Sequence, residues 1–329
     1  MYVMYGSRVA GTGASVPDRI LTNAELERMV STSDEWIVTR TGISERRIAA
    51  DDQATSDLAE GAARRALEAA AVDPHDLDLI LVNTVTPDMF FPSTACVVQE
   101  RIGASRAAAF DLLAACAGFV YGLSVADAYL RAGVMRNILV IGADIMSRVV
   151  DWSDRGTCVL FGDGAGAVLL QRTTDPSVLS THLYSDGSKG RQLMIPGGGS
   201  RQPACQQVID EKLITIRMPN GNEVFKTAVR YMEEAAMAAL KANGVEVSDI
   251  DLFISHQANA RIIYAVAERL DLPRERIFMN IDRYGNTSAA SIPIAMDEAV
   301  RAGRLKRGDL LLLTAFGGGI TWGSALIRW

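Results

Sequence analysis

The sequence predicts an α/β protein with a largely parallel core, because helical segments alternate along the chain with short apolar runs. Residues 56–71 are rich in alanine and form a helical pattern. The runs 76–83 (DLDLILVN) and 136–144 (RNILVIGAD) have the length and apolar character of buried strands. Nearer the N-terminus, Thr22 and Glu25 have the spacing of a capping box, which predicts that a helix begins there.

The second half of the sequence repeats the order of the first. The predicted strand at 249–256 resembles the one at 76–83, at an offset of 173 (249 − 76). A second pair of segments follows at an offset of 170 (296 − 126), and a third pair keeps the same order. Three similarities in one order predict two similar halves, 1–175 and 176–329, that pack as a pseudo-dimer.

This internal repeat places three polar residues at comparable points of the fold. The offset of 170 pairs Cys116 with Asn286, and the offset of 173 pairs His256 with Asn83. Each of them follows a predicted strand or precedes a predicted helix. Because α/β folds bind ligands at the carboxyl ends of their strands, we expect Cys116, His256 and Asn286 to converge.

Composition and charge argue against several classes of function. The chain has 329 residues and a formal net charge of −6, whereas nucleic-acid-binding proteins have a basic surface. No apolar run approaches the roughly 20 residues of a membrane helix, and we see no signal-peptide pattern. Four cysteines without C-x-x-C spacing predict a reduced, cytoplasmic protein without disulfides, and three histidines give little support to a metal site.

Cys116 is a candidate nucleophile. It begins a predicted helix in the apolar segment FDLLAACAGFVYGL, and unpaired N–H groups at a helix start lower the pKa of a thiol. Considered alone, Cys116 could equally be a small buried core residue. His256 opens the polar loop HQAN and could be structural, and Asn286 could be a helix N-cap.

Two glycine-rich segments have different interpretations. Gly317, Gly318 and Gly319 either form a tight strand connection or let a backbone N–H approach a substrate oxygen. The segment GDGAGA (162–167) resembles a phosphate-binding loop, but no helix follows it. We therefore predict that it is a structural turn between two strands within 158–171.

Six segments along nearly the whole chain resemble the signature segments of the β-ketoacyl-acyl carrier protein synthase III family, within the thiolase-like condensing superfamily. The segments are TSDEWIVTRTGI (32–43), AACAGF (114–119), DRGTCVLFGDGAGA (154–167), HQANARII (256–263), YGNTSAAS (284–291) and AFGGGITWGSAL (315–326). The resemblance implies a thiolase-like, five-layered α-β-α-β-α fold built from two similar halves. It also implies a homodimer.

The activity that the resemblance implies is the initiating condensation of fatty-acid biosynthesis. A short acyl-CoA, such as acetyl-CoA, would acylate Cys116, and condensation with malonyl-acyl carrier protein would release CO₂. The resemblance assigns Cys116, His256 and Asn286 as the catalytic triad. The N–H groups of Cys116 and Gly318 would hold the oxyanion. No metal or redox cofactor is expected, because the thioester already activates the α-carbon.

The resemblance also assigns residues that bind coenzyme A and the acyl group. Trp36, Arg40 and Arg155 match residues that hold the adenine end of coenzyme A in this family. Asn259 matches a residue that contacts the pantetheine arm. Phe91 matches a residue at the dimer interface that closes the acyl pocket.

Basic residues are expected to bind the acidic carrier protein. The family's basic surface is represented by Lys226, Arg261 and Arg269. Two departures from the family pattern occur nearby. Glu268 stands where some relatives have a basic residue, and the segment 218–225 is one residue longer than in some members. Neither departure affects the predicted triad.

Three alternatives compete with this assignment. Within the superfamily, a related acyltransferase or a polyketide- or ketone-forming enzyme is disfavoured by TSDEW together with HQAN. Asn286 favours the initiating branch, because elongating synthases have a second histidine there and thiolases a second cysteine. A papain-like protease has Cys, His and Asn in this order, but its cysteine lies near the mature N-terminus in another motif. An intact triad disfavours a non-catalytic scaffold.

Overall fold

Two main β-sheets, a small two-stranded sheet and three layers of helices make up the protein, in a computed structural model that describes residues 4–329. The strands are β1 (Gly6–Ser15), β2 (Arg19–Thr22), β3 (Glu45–Ile48), β4 (Leu79–Asn83), β5 (Ala108–Leu112), β6 (Asn137–Ile145), β7 (Asp163–Thr173), β8 (Val178–Ser185), β9 (Leu252–Ser255), β10 (Leu310–Gly317) and β11 (Thr321–Arg328). The helices are α1 (Asn23–Leu26), α2 (Asp34–Thr41), α3 (Thr55–Ala70), α4 (Thr94–Ile102), α5 (Gly118–Arg131), α6 (Arg155–Cys158), α7 (Gln206–Asp210), α8 (Gly221–Asn243), α9 (Ala260–Arg269), α10 (Ile281–Tyr284) and α11 (Ser291–Arg301).

The two sheets are mixed, and in each of them the parallel strands lie toward one edge. The five-stranded sheet has the order β1-β7-β6-β4-β5, in which β4 runs parallel to both β5 and β6. The four-stranded sheet has the order β8-β11-β10-β9, in which β9 and β10 are parallel. Strands β2 and β3 form a separate antiparallel pair.

Helices α5 and α11 lie between the two sheets, and their apolar side chains share one core with both. Helices α3 and α4 cover the outer face of the five-stranded sheet, and α8 and α9 cover the outer face of the four-stranded sheet. The predicted α-β-α-β-α layering is therefore confirmed. All five residues of β4 are buried, which explains why its sequence is almost continuously apolar.

Equivalent elements in the two parts of the chain begin 173 residues apart. The offset is the same for β4 and β9 (252 − 79), for β6 and β10 (310 − 137) and for α5 and α11 (291 − 118). It pairs Cys116 with Ala289 and Asn286 with Leu113, so the predicted equivalence of Cys116 and Asn286 is wrong. The offset of 170 came from helical segments, where a slip of three residues is close to one turn and preserves the apolar face.

The glycine-rich segment 162–167 is not a turn, and the two strands predicted around it are one strand, β7, preceded by α6. A Cβ at Gly162 would lie 2.3 Å from the carbonyl oxygen of Tyr284, and one at Gly166 would lie 2.6 Å from the backbone nitrogen of Ile294. Glycine is needed because the segment leading into α11, and α11 itself, approach the sheet closely. No helix within residues 4–329 is long and apolar enough to span a bilayer.

Candidate active site

Cys116 lies in a 3-10 turn, Ala115–Ala117, that leads directly into α5. The preceding Ala115 has a φ of 47°, a left-handed conformation that turns the chain sharply between β5 and α5. The end of β10 packs against this turn, and a Cβ at Gly317 would lie 2.8 Å from the backbone nitrogen of Cys116. The close approach of two backbones therefore requires the first glycine of the GGG segment.

Burial raises the pKa of the Cys116 thiol to about 11. The Ser288 hydroxyl and the backbone N–H groups of Gly318 and Cys116 lower this pKa, whereas the charge of Asp144 raises it further. The backbone N–H groups thus act in the predicted direction, but burial outweighs them and the pKa of Cys116 is raised overall. Cys116 precedes α5, and the cost of desolvating a thiolate exceeds the stabilisation by nearby N–H groups.

His256 follows the last residue of β9 and is held at the end of the sheet. Its backbone N–H donates to the carbonyl oxygen of Thr314 on β10 at 2.8 Å. Its Nδ1 lies 2.7 Å from Oγ of Ser291, the first residue of α11. Burial lowers the pKa of His256 to about 3, so the ring is neutral near pH 7. With Nδ1 occupied by Ser291, Nε2 is the ring nitrogen that remains for a ligand.

Asn286 is fixed by its backbone and by one end of its side chain. Its N–H donates to the carbonyl oxygen of Leu160 at 2.8 Å, and its carbonyl oxygen accepts from the N–H of Gly162 at 3.1 Å. Its Oδ1 accepts from the N–H of Ser288 at 2.9 Å, which leaves the Nδ2 donors free to meet a ligand. Asn286 is not a helix N-cap, since Ala290 occupies that position before α11.

The three predicted catalytic residues line one pocket of about 130 Å³. Most of its other lining residues are apolar: Leu160, Phe161, Leu193, Met218, Val224, Phe225, Ala228, Met232, Ala258, Ile262 and Phe316. The structure thus brings together a thiol and two potential N–H donors within an apolar wall. A low-dielectric wall strengthens hydrogen bonds to a developing negative charge.

Trp36, Arg40 and Arg155 form a surface cluster. The Trp36 ring lies under two guanidinium groups, with the central carbon of Arg40 at 4.8 Å and that of Arg155 at 4.7 Å from the ring centroid. Arg155 also donates to the carbonyl oxygen of Ser31 at 2.9 Å, which holds the start of α6 against the segment before α2. An indole flanked by two cations suits a ligand with an aromatic base and phosphate groups.

Asn259 connects this cluster to the pocket. As the N-cap of α9, its Oδ1 accepts from the N–H of Arg261 at 2.8 Å. Its Nδ2 donates to the backbone carbonyl of Arg40 at 3.0 Å, and the residue also lines the pocket. Asn259 therefore ties the pocket wall to the helix that carries Trp36 and Arg40.

The predicted carrier-protein residues lie in different environments. Arg261 lies over the ring of Phe225, at 5.6 Å from its centroid, and Phe225 lines the pocket. Arg269 forms an ion pair with Glu233 of α8, which offsets its charge. Lys226 is exposed on α8. Arg261 is the member of this set that adjoins the pocket.

Phe91 does not reach the pocket within the single chain. Its side chain is 86 % exposed, next to Phe90, and neither ring lines the wall around Cys116. Its role in closing the acyl pocket of a dimer stays a prediction. Across the part of the chain that the structure describes, no group of three His, Cys, Asp or Glu side chains could hold a metal ion.

Sequence analysis did not identify three polar residues around the triad. Ser288 and Ser291 lie in the same YGNTSAAS segment as Asn286. The segment contains several small hydroxyl residues, and the sequence does not distinguish which of their side chains contacts which partner. Asp144 is the penultimate residue of strand β6 and is fully buried. An acidic residue at the end of an apolar strand was the signal that could have indicated it.

Two family models match the chain. The model described as "3-Oxoacyl-[acyl-carrier-protein (ACP)] synthase III" covers residues 110–187, and the model of its C-terminal region covers residues 240–329. The beta-ketoacyl-[acyl-carrier-protein] synthase III of Alkalilimnicola ehrlichii is 56 % identical over 324 residues, which are 98 % of this chain and 99 % of that protein.

Solved structures agree with this similarity. The 3-oxoacyl-[acyl-carrier-protein] synthase III of Aquifex aeolicus is 50 % identical, with a TM-score of 0.92 over 98 % of this chain and 100 % of the other. The priming β-ketosynthase of the R1128 polyketide biosynthetic pathway has a TM-score of 0.93 but 35 % identity, over 99 % of this chain and 97 % of the other.

Proposed function

Because the chain belongs to the β-ketoacyl-acyl carrier protein synthase III family, we propose that Cys116, His256 and Asn286 catalyse its condensation reaction. The protein is a condensing acyltransferase of fatty-acid biosynthesis. The observation that supports the residue assignment is the convergence of the Cys116 thiol, the His256 ring and the Asn286 amide in one apolar pocket.

In the proposed first step, Cys116 Sγ attacks the carbonyl carbon of a short acyl-CoA. The thioester oxygen becomes an oxyanion, and the N–H groups of Cys116 and Gly318 donate to it. These N–H groups already lower the pKa of the Cys116 thiol, which supports their orientation toward the reacting sulfur. The tetrahedral intermediate then expels coenzyme A, which takes up the proton that the thiol lost. The acyl group stays on Sγ.

In the proposed second step, malonyl-acyl carrier protein enters the pocket and loses CO₂. The electron pair of the broken C–C bond forms an enolate, whose oxygen accepts hydrogen bonds from His256 Nε2 and Asn286 Nδ2. A neutral imidazole is suited to this role, and the depressed pKa of His256 keeps the ring neutral. The enolate carbon attacks the acyl-cysteine, and the Cys116 thiolate leaves. The product is a 3-oxoacyl carrier protein, and the electron balance requires no metal or redox group.

The substrates would bind at the outer part of the pocket. Trp36, Arg40 and Arg155 would bind the adenine end of coenzyme A, and Asn259 would contact the pantetheine arm near the catalytic groups. Arg261, with Lys226 and Arg269, would bind the acidic carrier protein. A homodimer, in which Phe91 would close the acyl pocket, also stays a prediction. The same holds for a cytoplasmic location.

The alternative functions are not favoured. The similarity to the polyketide priming enzyme is weaker, at 35 % identity, than the 56 % and 50 % identity to synthase III proteins. A papain-like protease needs a thiolate paired with a charged histidine. The burial that lowers the pKa of His256 and raises that of Cys116 opposes such a pair.

Mass spectrometry with site variants tests the assignment. We expect a short acyl-CoA alone to add one acyl group, which peptide mapping places on Cys116. Cys116→Ala should remove acylation, whereas His256→Ala and Asn286→Ala should lose malonyl decarboxylation more than self-acylation, by about 10²–10³ in rate. An acyl group on Cys96, Cys158 or Cys205 would contradict the nucleophile. Unimpaired decarboxylation in both His256→Ala and Asn286→Ala would contradict the enolate site.

A further inference from the structure

The two backbone N–H groups assigned to the oxyanion belong to parts of the chain that are 202 residues apart (318 − 116). Cys116 lies in the turn before α5, and Gly318 lies in the loop that joins β10 to β11. Among residues 4–329, no backbone carbonyl oxygen accepts a hydrogen bond from either N–H group. Two donors on separate segments can bind one oxygen atom only if their separation is fixed.

The carbonyl oxygen of Ala114 joins these two parts of the chain. It accepts from the N–H of Ala117 at 3.2 Å, and this hydrogen bond closes the 3-10 turn around Cys116. The same oxygen accepts from Oγ1 of Thr321, the first residue of β11, at 2.8 Å. One oxygen atom therefore connects the turn that carries Cys116 to the strand that follows Gly318.

Thr321 is also fixed to the loop that carries Gly318. It pairs with Gly317 across β10 and β11, so the loop consists of residues 318–320 alone. Gly317 packs on the turn of the nucleophile, since a Cβ there would lie 3.0 Å from the Ala114 oxygen. In the part of the chain that the structure describes, the Thr321 hydroxyl forms the side-chain hydrogen bond that links this loop to that turn. The position of the loop relative to the turn therefore depends on this hydroxyl.

The loop 318–320 is held at a second place by backbone hydrogen bonds. The N–H of Gly319 donates to the carbonyl oxygen of Leu193 at 2.9 Å, and the carbonyl oxygen of Ile320 accepts from the N–H of Asp186 at 2.9 Å. Ile320 is fully buried and has a φ of 59°, which a β-branched residue adopts only when its contacts impose it. These backbone bonds fix one side of the loop, and the Thr321 hydroxyl fixes the side next to the turn of Cys116.

We propose, on the basis of the function assigned to Cys116, that Thr321 is a positioning residue for the oxyanion site. By holding Ala114 to the start of β11, its hydroxyl sets the separation between the N–H groups of Cys116 and Gly318. Thr321 does not line the pocket, so it acts through these donors and not by touching the substrate. Its effect is confined to the two steps in which a thioester oxygen becomes an oxyanion. These steps are the attack of Cys116 on acyl-CoA and the attack of the enolate on the acyl-cysteine.

Three variants separate this role from a general effect on the fold. Thr321→Val removes the hydroxyl but keeps the branched shape that suits a strand. Thr321→Ser keeps the hydroxyl and removes only a methyl group. Thr181→Val is the matched control, because Thr181 lies on the neighbouring strand β8, is partly buried like Thr321, and donates to Oγ of Ser124 at 2.8 Å. Neither Thr181 nor Ser124 lines the pocket.

The first measurement compares the two half-reactions. For Thr321→Val, we expect the maximal rate of Cys116 acylation to fall about 10- to 100-fold, because misplacing reacting groups by about 1 Å can cost about 100-fold. The acyl-CoA concentration that gives half of this rate should stay near the wild-type value. Malonyl decarboxylation, measured without acyl-CoA, should also stay near wild type, because His256 and Asn286 serve that step. Thr321→Ser should recover most of the acylation rate, and Thr181→Val should match wild type in both half-reactions.

The second measurement reports the hydrogen bonds to the acyl oxygen directly. Infrared difference spectroscopy of the enzyme carrying an isotope-labelled acyl group gives the stretching frequency of the Cys116 thioester carbonyl, which falls as donors approach the oxygen. We expect a higher frequency in Thr321→Val than in the wild-type protein, with Thr321→Ser and Thr181→Val near wild type. A slow variant remains measurable, because complete acylation only takes longer.

Several outcomes would overturn the proposal: normal acylation by a folded Thr321→Val protein, equal loss of both half-reactions, an unchanged carbonyl frequency, or a Thr321→Ser protein as slow as Thr321→Val. Circular dichroism establishes whether each variant folds. If Thr321→Val does not fold, Thr321→Ala takes its place, since it also lacks the hydroxyl. Absence of acylation at Cys116 in the wild-type protein would contradict the proposed function. Acylation that occurs in the wild type and is unchanged in the variants would contradict only the positioning role of Thr321.

Discussion

Replacing Ser291 with alanine is expected to damage decarboxylation through the orientation of His256. Ser291 Oγ lies 2.7 Å from Nδ1 of the ring and also accepts from the N–H of Gln257 at 3.3 Å. If the Ser291 hydroxyl donates to Nδ1, the proton of the neutral ring must be on Nε2, where it can bond to the enolate oxygen. The variant leaves His256 in place but removes the group that selects its tautomer.

The size of the effect follows from the burial of the pair. His256 and Ser291 are each 2 % exposed, so water cannot easily replace the lost hydroxyl. Leaving a buried polar atom without its partner costs about 1–3 kcal/mol. If that cost falls on the transition state for decarboxylation, the rate should drop about 5- to 150-fold.

The assay is the release of CO₂ from malonyl-acyl carrier protein, measured beside self-acylation by acyl-CoA. Ser324→Ala is a matched control, because Ser324 is also fully buried and donates to the carbonyl oxygen of Ala235 at 2.6 Å, outside the pocket. We expect Ser291→Ala to slow decarboxylation selectively and Ser324→Ala to leave both half-reactions near wild type. If a folded Ser291→Ala protein decarboxylates normally, or loses both half-reactions equally, the orienting role of Ser291 is wrong.

Two further predictions concern substrate binding. Trp36→Ala should raise KM for acyl-CoA about fivefold or more, because stacking on a base contributes about 1–3 kcal/mol. KM for malonyl-acyl carrier protein should not change. Equal effects on both KM values would count against the assignment. Arg261→Glu should raise KM for malonyl-acyl carrier protein at low ionic strength, less so in high salt, while self-acylation survives. Arg269→Glu is its comparison and should have a smaller effect, since Glu233 already offsets that charge. Unchanged carrier-protein kinetics for Arg261→Glu at low salt would refute this docking surface.

Phe91 is exposed and lies outside the pocket of a single chain. The resemblance to synthase III proteins places this residue against the acyl pocket, but its ring lies on the surface beside Phe90. An interface residue acts on a pocket only through a second subunit. The predicted role of Phe91 therefore depends on a second copy of the chain.

The order of helices and strands was predictable from the sequence, because the patterns that mark where each element begins and ends are local. The capping box at Thr22 and Glu25 is present as predicted, and the apolar run at 76–83 contains β4. Side-chain periodicity and caps depend on neighbours within a few residues, so one chain reveals them without its tertiary contacts. The convergence of Cys116, His256 and Asn286 was also predictable, since each follows or precedes an element whose end the pattern marks.

By itself, then, the sequence determined the layered α/β fold and the three residues that meet in the pocket. Tertiary structure alone decided the ionisation of Cys116, the register of the internal repeat and the strand conformation of 162–167. Packing of the turn 288–290 and of the GGG segment against the turn that carries Cys116 accompanies the burial that raises the pKa of the thiol, and close backbone approach explains Gly162 and Gly166. These properties depend on atoms from segments more than a hundred residues away, which no local pattern encodes.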